Sequence, residues 1–141
     1  MDTVTGTILP LYFFNPAAGD LTPLHLTIRL NGVVQYDQAV VHSETFNYEL
    51  PDEDQEHVLE FELSGKTDQH TLLNDQGEMD RNSCVSIRNL CFNDVPVNDI
   101  LYKISVYDHD ITEPFYGALN HNGQARIQFT TPVDLWLFEN K

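Results

Sequence analysis

A single all-β domain, an antiparallel β-sandwich of jelly-roll type, is the fold class this sequence predicts, and three observations predict it. Hydrophobic and polar residues alternate every second position in segment after segment, while the three-to-four-residue spacing of an amphipathic helix is nearly absent. Turn-forming residues punctuate those segments at intervals of about 8 to 15 residues, as expected of roughly eight to ten strands folded into facing sheets. The chain has 141 residues, 41% of them hydrophobic with eight Phe, six Tyr and one Trp, enough for one core without disulfides or a metal.

The clearest element comes first. Leu24, Leu26, Ile28 and Leu30 fall on one face and His25, Thr27 and Arg29 on the other, so one face is buried and one is wet. Asn31-Gly32 follows at once, and both positions of a type I′ turn need positive φ, so a return strand is expected from Val33 to about Val40. Phe46, Tyr48 and Leu50 form the next alternating face, closed by Pro51 and the acidic Asp52-Glu53-Asp54. Leu59, Phe61 and Leu63 form another, ended by Gly65. Val85 and Ile87 begin a strand whose phase slips to Leu90 and Phe92, the mark of a bulge or turn. Ile100 to Tyr107 reads as strand, with a helical turn at Asn98 to Leu101 as the alternative. Ala125, Ile127 and Phe129 alternate up to Pro132, and Val133 to Phe138 then completes an expected terminal strand pair. The longest irregular stretch is Lys66 to Ser83, and loops of that length commonly carry function.

Charge narrows the partners. Twenty-two Asp and Glu against seven Lys and Arg leave a net charge of −15, which repels nucleic-acid phosphates and anionic lipid surfaces. Direct nucleic-acid binding and membrane insertion are therefore not expected. A basic protein partner, or divalent cations held between carboxylates, fits the charge better. An acidic inhibitor that occupies the cleft of a host DNA-binding protein is the third alternative. Cys84 and Cys91 are seven residues apart on an expected strand, roughly 20 Å if extended, too far for a disulfide. Free thiols suit a reducing compartment. The opening Met-Asp-Thr-Val carries no basic region, and Pro10 interrupts the apolar run Ile8 to Phe14, so no signal peptide is expected.

Few constellations carry chemistry. Asn74, Asp75, Glu78 and Asp80 around Gly77 offer oxygen ligands that a calcium ion could use, though Asn, Asp and Gly also dominate ordinary turns. Asp108-His109-Asp110 leaves a strand, where at most two of the three side chains can converge. His25, His42, His57, His70, His109 and His121 show no paired zinc spacing and read as solvated surface groups. Neither a nucleophile elbow nor a phosphate loop occurs, so an enzyme is not expected. Among aromatic residues, Trp136 lies between Leu135 and Leu137, and as a strand residue would point away from them. Phe115-Tyr116-Gly117 after Pro114 reads as an exposed loop tip that could stack on a sugar ring.

The run from Leu59 to Val97, LEFELSGKTDQHTLLNDQGEMDRNSCVSIRNLCFNDVPV, and the ending NHNGQARIQFTTPVDLWLFENK resemble a group of small β-sandwich virion proteins of tailed bacteriophages that are similar to carbohydrate-binding modules. The resemblance covers roughly the C-terminal 85 of 141 residues. It implies a place on a phage particle as a capsid decoration, neck or tail-fibre component, docking on other virion proteins in an oligomeric assembly and binding host surface glycans. Candidate contacts are Asp68, His70, Asp108, Phe115, Tyr116 and Trp136. Calcium often lies near the binding loops of such modules, which points to Asp68, Asp75 or Asp108. A calcium-dependent carbohydrate-binding module using the Lys66 to Ser83 loop, the Asp108 to Asp110 stretch and the Phe115-Tyr116 tip is the second alternative, compatible with the first.

Overall fold

The computed structural model describes residues 1–15, 19, 22–51 and 53–141; Asp52, read above as part of an acidic turn, lies outside them. In chain order the strands are β1 (Asp2–Leu11), β2 (His25–Leu30), β3 (Val33–Ala39), β4 (Glu44–Leu50), β5 (Gln55–Ser64), β6 (Thr71–Leu73), β7 (Met79–Asn82), β8 (Cys84–Phe92) and β9 (Val95–Pro96). A short helix α1 (Leu101–Ile104) precedes β10 (Ser105–Asp108), β11 (Thr112–Glu113), β12 (Ala118–Leu119) and β13 (Gly123–Thr131), and helix α2 (Val133–Asn140) closes the chain.

Two antiparallel sheets face each other. One has the order β12-β8-β1-β4, with β9 turning back on β8, and the other runs β11-β10-β13-β5-β2-β3. β6 and β7 form a separate hairpin inside the long loop. The inward positions of both sheets meet in one core that includes Val4, Ile8, Leu26, Ile28, Leu59, Phe61, Val85, Ile87, Leu90, Phe92, Ile127 and Phe129. Phe46 reaches Phe61 across the gap at 6.2 Å, and Phe92 reaches Phe129 at 4.9 Å. Each such ring contributes roughly 1.5–3 kcal/mol by leaving water. The mostly-β sandwich expected from the alternation is what the chain forms.

The first hairpin follows its sequence signal: Asn31 and Gly32 take φ of 55° and 79°, and β2 and β3 pair around them. The phase slip in β8 is a bulge, where Asn89 takes φ 54° and the register against β1 shifts between Thr5 and Thr7.

Three expectations are corrected. The stretch from Ile100 is strand only from Ser105, because a 3₁₀ turn at Asn98–Ile100 and α1 turn Ile100 and Leu101 into the core. Val133 to Phe138 is helix, not strand. Val133, Trp136 and Leu137 have the i, i+3, i+4 spacing of a helix face and are the buried positions of α2. Trp136 therefore packs inward, 5.1 Å from Phe92, and Leu135 is exposed where Leu137 is not. The longest unforeseen strand is β1, a central one, whose inward positions Asp2, Val4, Gly6 and Ile8 include two that carry no apolar signal. The short β6, β7, β9, β11 and β12 are also unexpected, β6 and β7 forming a hairpin in the stretch Lys66 to Ser83 that was expected to be irregular.

Candidate functional site

The two ends of the sandwich are built differently. At one end α2 plugs the gap between the sheets. Its first turn is capped from β1: the buried Asp2 accepts the Val133 backbone N–H at 2.8 Å and the Asn93 amide at 3.0 Å. Pro132 supplies no side-chain cap, so a carboxylate from the opposite chain end satisfies the positive end of the helix. His57 closes the same end, bridging Asn31 at 2.9 Å and Thr131 at 3.1 Å while stacked on Phe129.

The other end is a polar cleft of about 400 Å³, assembled from four separate segments. Gly65 ends β5 with φ 82°, and Lys66 follows at the cleft floor. Asn122 reads the Lys66 backbone as a strand would, its Oδ1 accepting the Lys66 N–H at 2.9 Å and its Nδ2 donating to the Lys66 carbonyl at 3.0 Å. The Lys66 ammonium donates to Asn82 Oδ1 at 2.5 Å and to the Asn120 carbonyl. Asn82 Oδ1 also accepts the Thr71 hydroxyl at 2.9 Å. Burial lowers the Lys66 pKa, since an ammonium loses hydration there.

His121 forms another wall. Tyr107 fixes its backbone twice, accepting the His121 N–H at 2.9 Å and donating to its carbonyl. Burial of that phenol raises its pKa to about 12, so it stays a donor. The His121 ring lies 4.2 Å from that of His109 at 12°, and His109 is held by Glu113 at 2.9 Å. Burial first, then the charges of His109 and Lys66, lowers the pKa of His121. Gly123 is required beside it, because a Cβ there would stand 2.2 Å from the Asp108 carbonyl. Asp68 and Asp110 complete the rim with two exposed carboxylates. Two carboxylates, three amides, an ammonium and an imidazole thus line one small space.

Of the residues named from sequence, Asp68 lines this cleft, as do Asp110 of the Asp108-His109-Asp110 stretch and His121, expected as a solvated surface group. His70 is 2% exposed and structural: its Nε2 pairs with the Thr22 carbonyl at 2.7 Å and its Nδ1 accepts the Thr67 N–H at 3.0 Å. Asp108 is tied to Arg126 at 2.5 Å and Thr112 at 2.9 Å, which lowers its pKa. Phe115 is fully buried against Tyr107 and Phe61, while Tyr116 beside it is 71% exposed; the expected exposed pair is a single ring. Asp75, Glu78 and Asp80 do not converge. Asn74 Oδ1 takes the backbone N–H groups of Gln76 and Glu78 and closes an ordinary turn. Among the described residues no group of three or more His, Cys, Asp or Glu is placed to hold a metal ion. Nor are the histidines uniformly solvated: His57 and His70 are buried.

The sequence does not single out Lys66, Asn82, Asn120 or Asn122, and it presents His121 only as a surface histidine. The one local signal is Asn120-His121-Asn122-Gly123, four turn-prone polar residues ahead of a strong strand. Comparison of the chain with protein-family models, curated proteins and solved structures returns no match. Fold and cleft together define a class, a β-sandwich with a hydrogen-bonding pocket at its loop end. No helix among the described residues is long and apolar enough to cross a membrane.

Proposed function

We propose that this chain is a non-enzymatic binding module whose end cleft takes a hydroxyl-rich ligand, a glycan, and that it works as a structural component of a phage particle. One observation carries the ligand class. Carboxylates (Asp68, Asp110), amides (Asn82, Asn120, Asn122), an ammonium (Lys66) and a neutral imidazole (His121) meet in one cleft of about 400 Å³, a size typical of small-ligand sites. Vicinal hydroxyls donate and accept together, and such a mixed set answers both. The rigid placement of Lys66 and His121 by backbone-directed bonds lowers the ordering cost of binding. The virion placement is supported by the resemblance of the Leu59 to Val97 run and of the C-terminal stretch. Oligomeric docking suits an exposed edge such as β3, which ends its sheet with no further strand beside it among the described residues.

A glycan array probed with the purified chain, with and without calcium, tests the ligand. Binding independent of calcium is expected, lost by about tenfold or more in Asp68→Ala and Asp110→Ala with the melting temperature unchanged. Absence of any binding would remove the reading. Peptides of this chain in the mass spectrum of purified particles test the placement, and their absence from intact particles would remove it.

A further inference from the structure

A second site lies on the flank of the sandwich, where α2 overhangs β10 and β13. A groove of about 330 Å³ there is lined by Lys103, Val106, Arg126, Gln128, Trp136 and Asn140, among others. Two of the seven Lys and Arg of a chain with net charge −15 face this one groove. Lys103 is exposed and forms no ion pair or hydrogen bond among the described residues. Arg126 gives one Nη to Asp108, and a guanidinium carries five N–H donors in a planar fork, so donors remain free. Trp136 is only 6% exposed and lines this groove. Its indole N–H has no hydrogen-bond partner among the described residues, although it is not sealed from solvent. A nine-tenths-buried indole normally pairs its N–H; here it is unpaired in a residue that lines the same groove as two cations.

We infer that this groove binds the carboxylate of an acidic sugar of the uronic type. Lys103 and the free side of the Arg126 fork take the carboxylate, the indole N–H takes a ring or hydroxyl oxygen, and the Gln128 amide meets further hydroxyls. Cations and an aromatic donor without a single acidic liner suit an anion, whereas the end cleft, with two carboxylates, suits a neutral ligand. The groove stands independently of that cleft. The two lie toward opposite ends of the β10–β13 pair, in which Ser105 is opposite Ile127 and Asp108 is opposite Gln124.

Trp136 is the only tryptophan, so its emission reports occupancy directly. Galacturonate titrated into the full chain should give a saturable change in emission, matched by calorimetry, while glucose gives none. Lys103→Ala should weaken binding about tenfold, as expected for loss of one charge-assisted contact. Trp136→Phe keeps a ring in the core but removes the N–H, and should weaken the calorimetric affinity severalfold with a cooperative melt retained. Asp68→Ala should leave galacturonate binding unchanged. No saturable response to galacturonate by either method, an equal response to glucose, or full affinity in both groove variants would overturn the assignment.

Discussion

The plugged end and the open end of this sandwich use polar residues in opposite ways. At the plugged end, Asp2 and His57 are buried, Asp2 ties α2 to β1, Phe92 packs on Trp136 and Phe129, and His57 ties β5 to β13 and to the β2–β3 turn. At the open end, roughly 27 Å away along the nine residues of β13, Asn122, Tyr107 and Asn82 hold backbone and ammonium groups around an empty space. The first arrangement spends its hydrogen bonds on closure, and the second leaves donors and acceptors facing outward. Substitutions should therefore separate with respect to the cleft ligand: those at the plug change stability and leave its binding unchanged, and those at the cleft change its binding with or without stability.

The largest effect is expected at the plug. Phe92→Ala removes a fully buried ring that touches Phe129 and Trp136, and should cost about 3–5 kcal/mol in chemical denaturation. Ligand affinity of the folded fraction should not change; a binding loss equal to that of a cleft variant would erase the distinction between the ends. Tyr107→Phe is the corresponding change at the open end. Losing both bonds to the His121 backbone should cost about 1–3 kcal/mol and also weaken glycan binding, because His121 is no longer fixed. Asp2→Ala leaves the first turn of α2 without its cap and should cost about 1–2 kcal/mol, read as a lower denaturation midpoint with amide exchange accelerated in α2 first.

The smallest effect is pH-dependent. Burial lowers the pKa of His57 in the fold, so the unfolded chain binds its proton more readily. That contribution is complete above the ordinary histidine pKa of about 6.5 and is lost as the pH falls below it. Protonation of carboxylates at lower pH relieves repulsion in an acidic chain and acts with the opposite sign. The informative quantity is therefore a difference: between pH 7 and pH 5 wild type should lose more stability than His57→Gln. A variant with the same pH profile would show that the ring is not the titrating group.

What could be read from sequence follows the same division. The β2–β3 hairpin and the buried faces of β4, β5 and β13 were legible because one face of each is apolar and the turn between β2 and β3 has its own chemistry. β1 was not, because Gly6 and the capping Asp2 sit at inward positions and blur the alternation. α2 was misread because Val133 to Phe138 is short and almost wholly apolar, and such a run has two periodicities at once; the helical spacing of Val133, Trp136 and Leu137 decides only when there is a core end to plug. The cleft was hardest. Its residues come from four segments up to 56 positions apart, as in the Lys66–Asn122 pair, and no local pattern announces a site that exists only after the sheets close. Asp68 was found because the loop that carries it is long and irregular, which is a statement about the loop and not about the ligand.

The most direct measurement is a two-dimensional amide NMR titration of the chain with a neutral oligosaccharide taken from the array. Shifts concentrated on the side-chain amides of Asn82, Asn120 and Asn122 and on the His121 backbone, saturating together, are the predicted result. Shifts spread over a sheet face, or confined to α2 with those four residues silent, would contradict it.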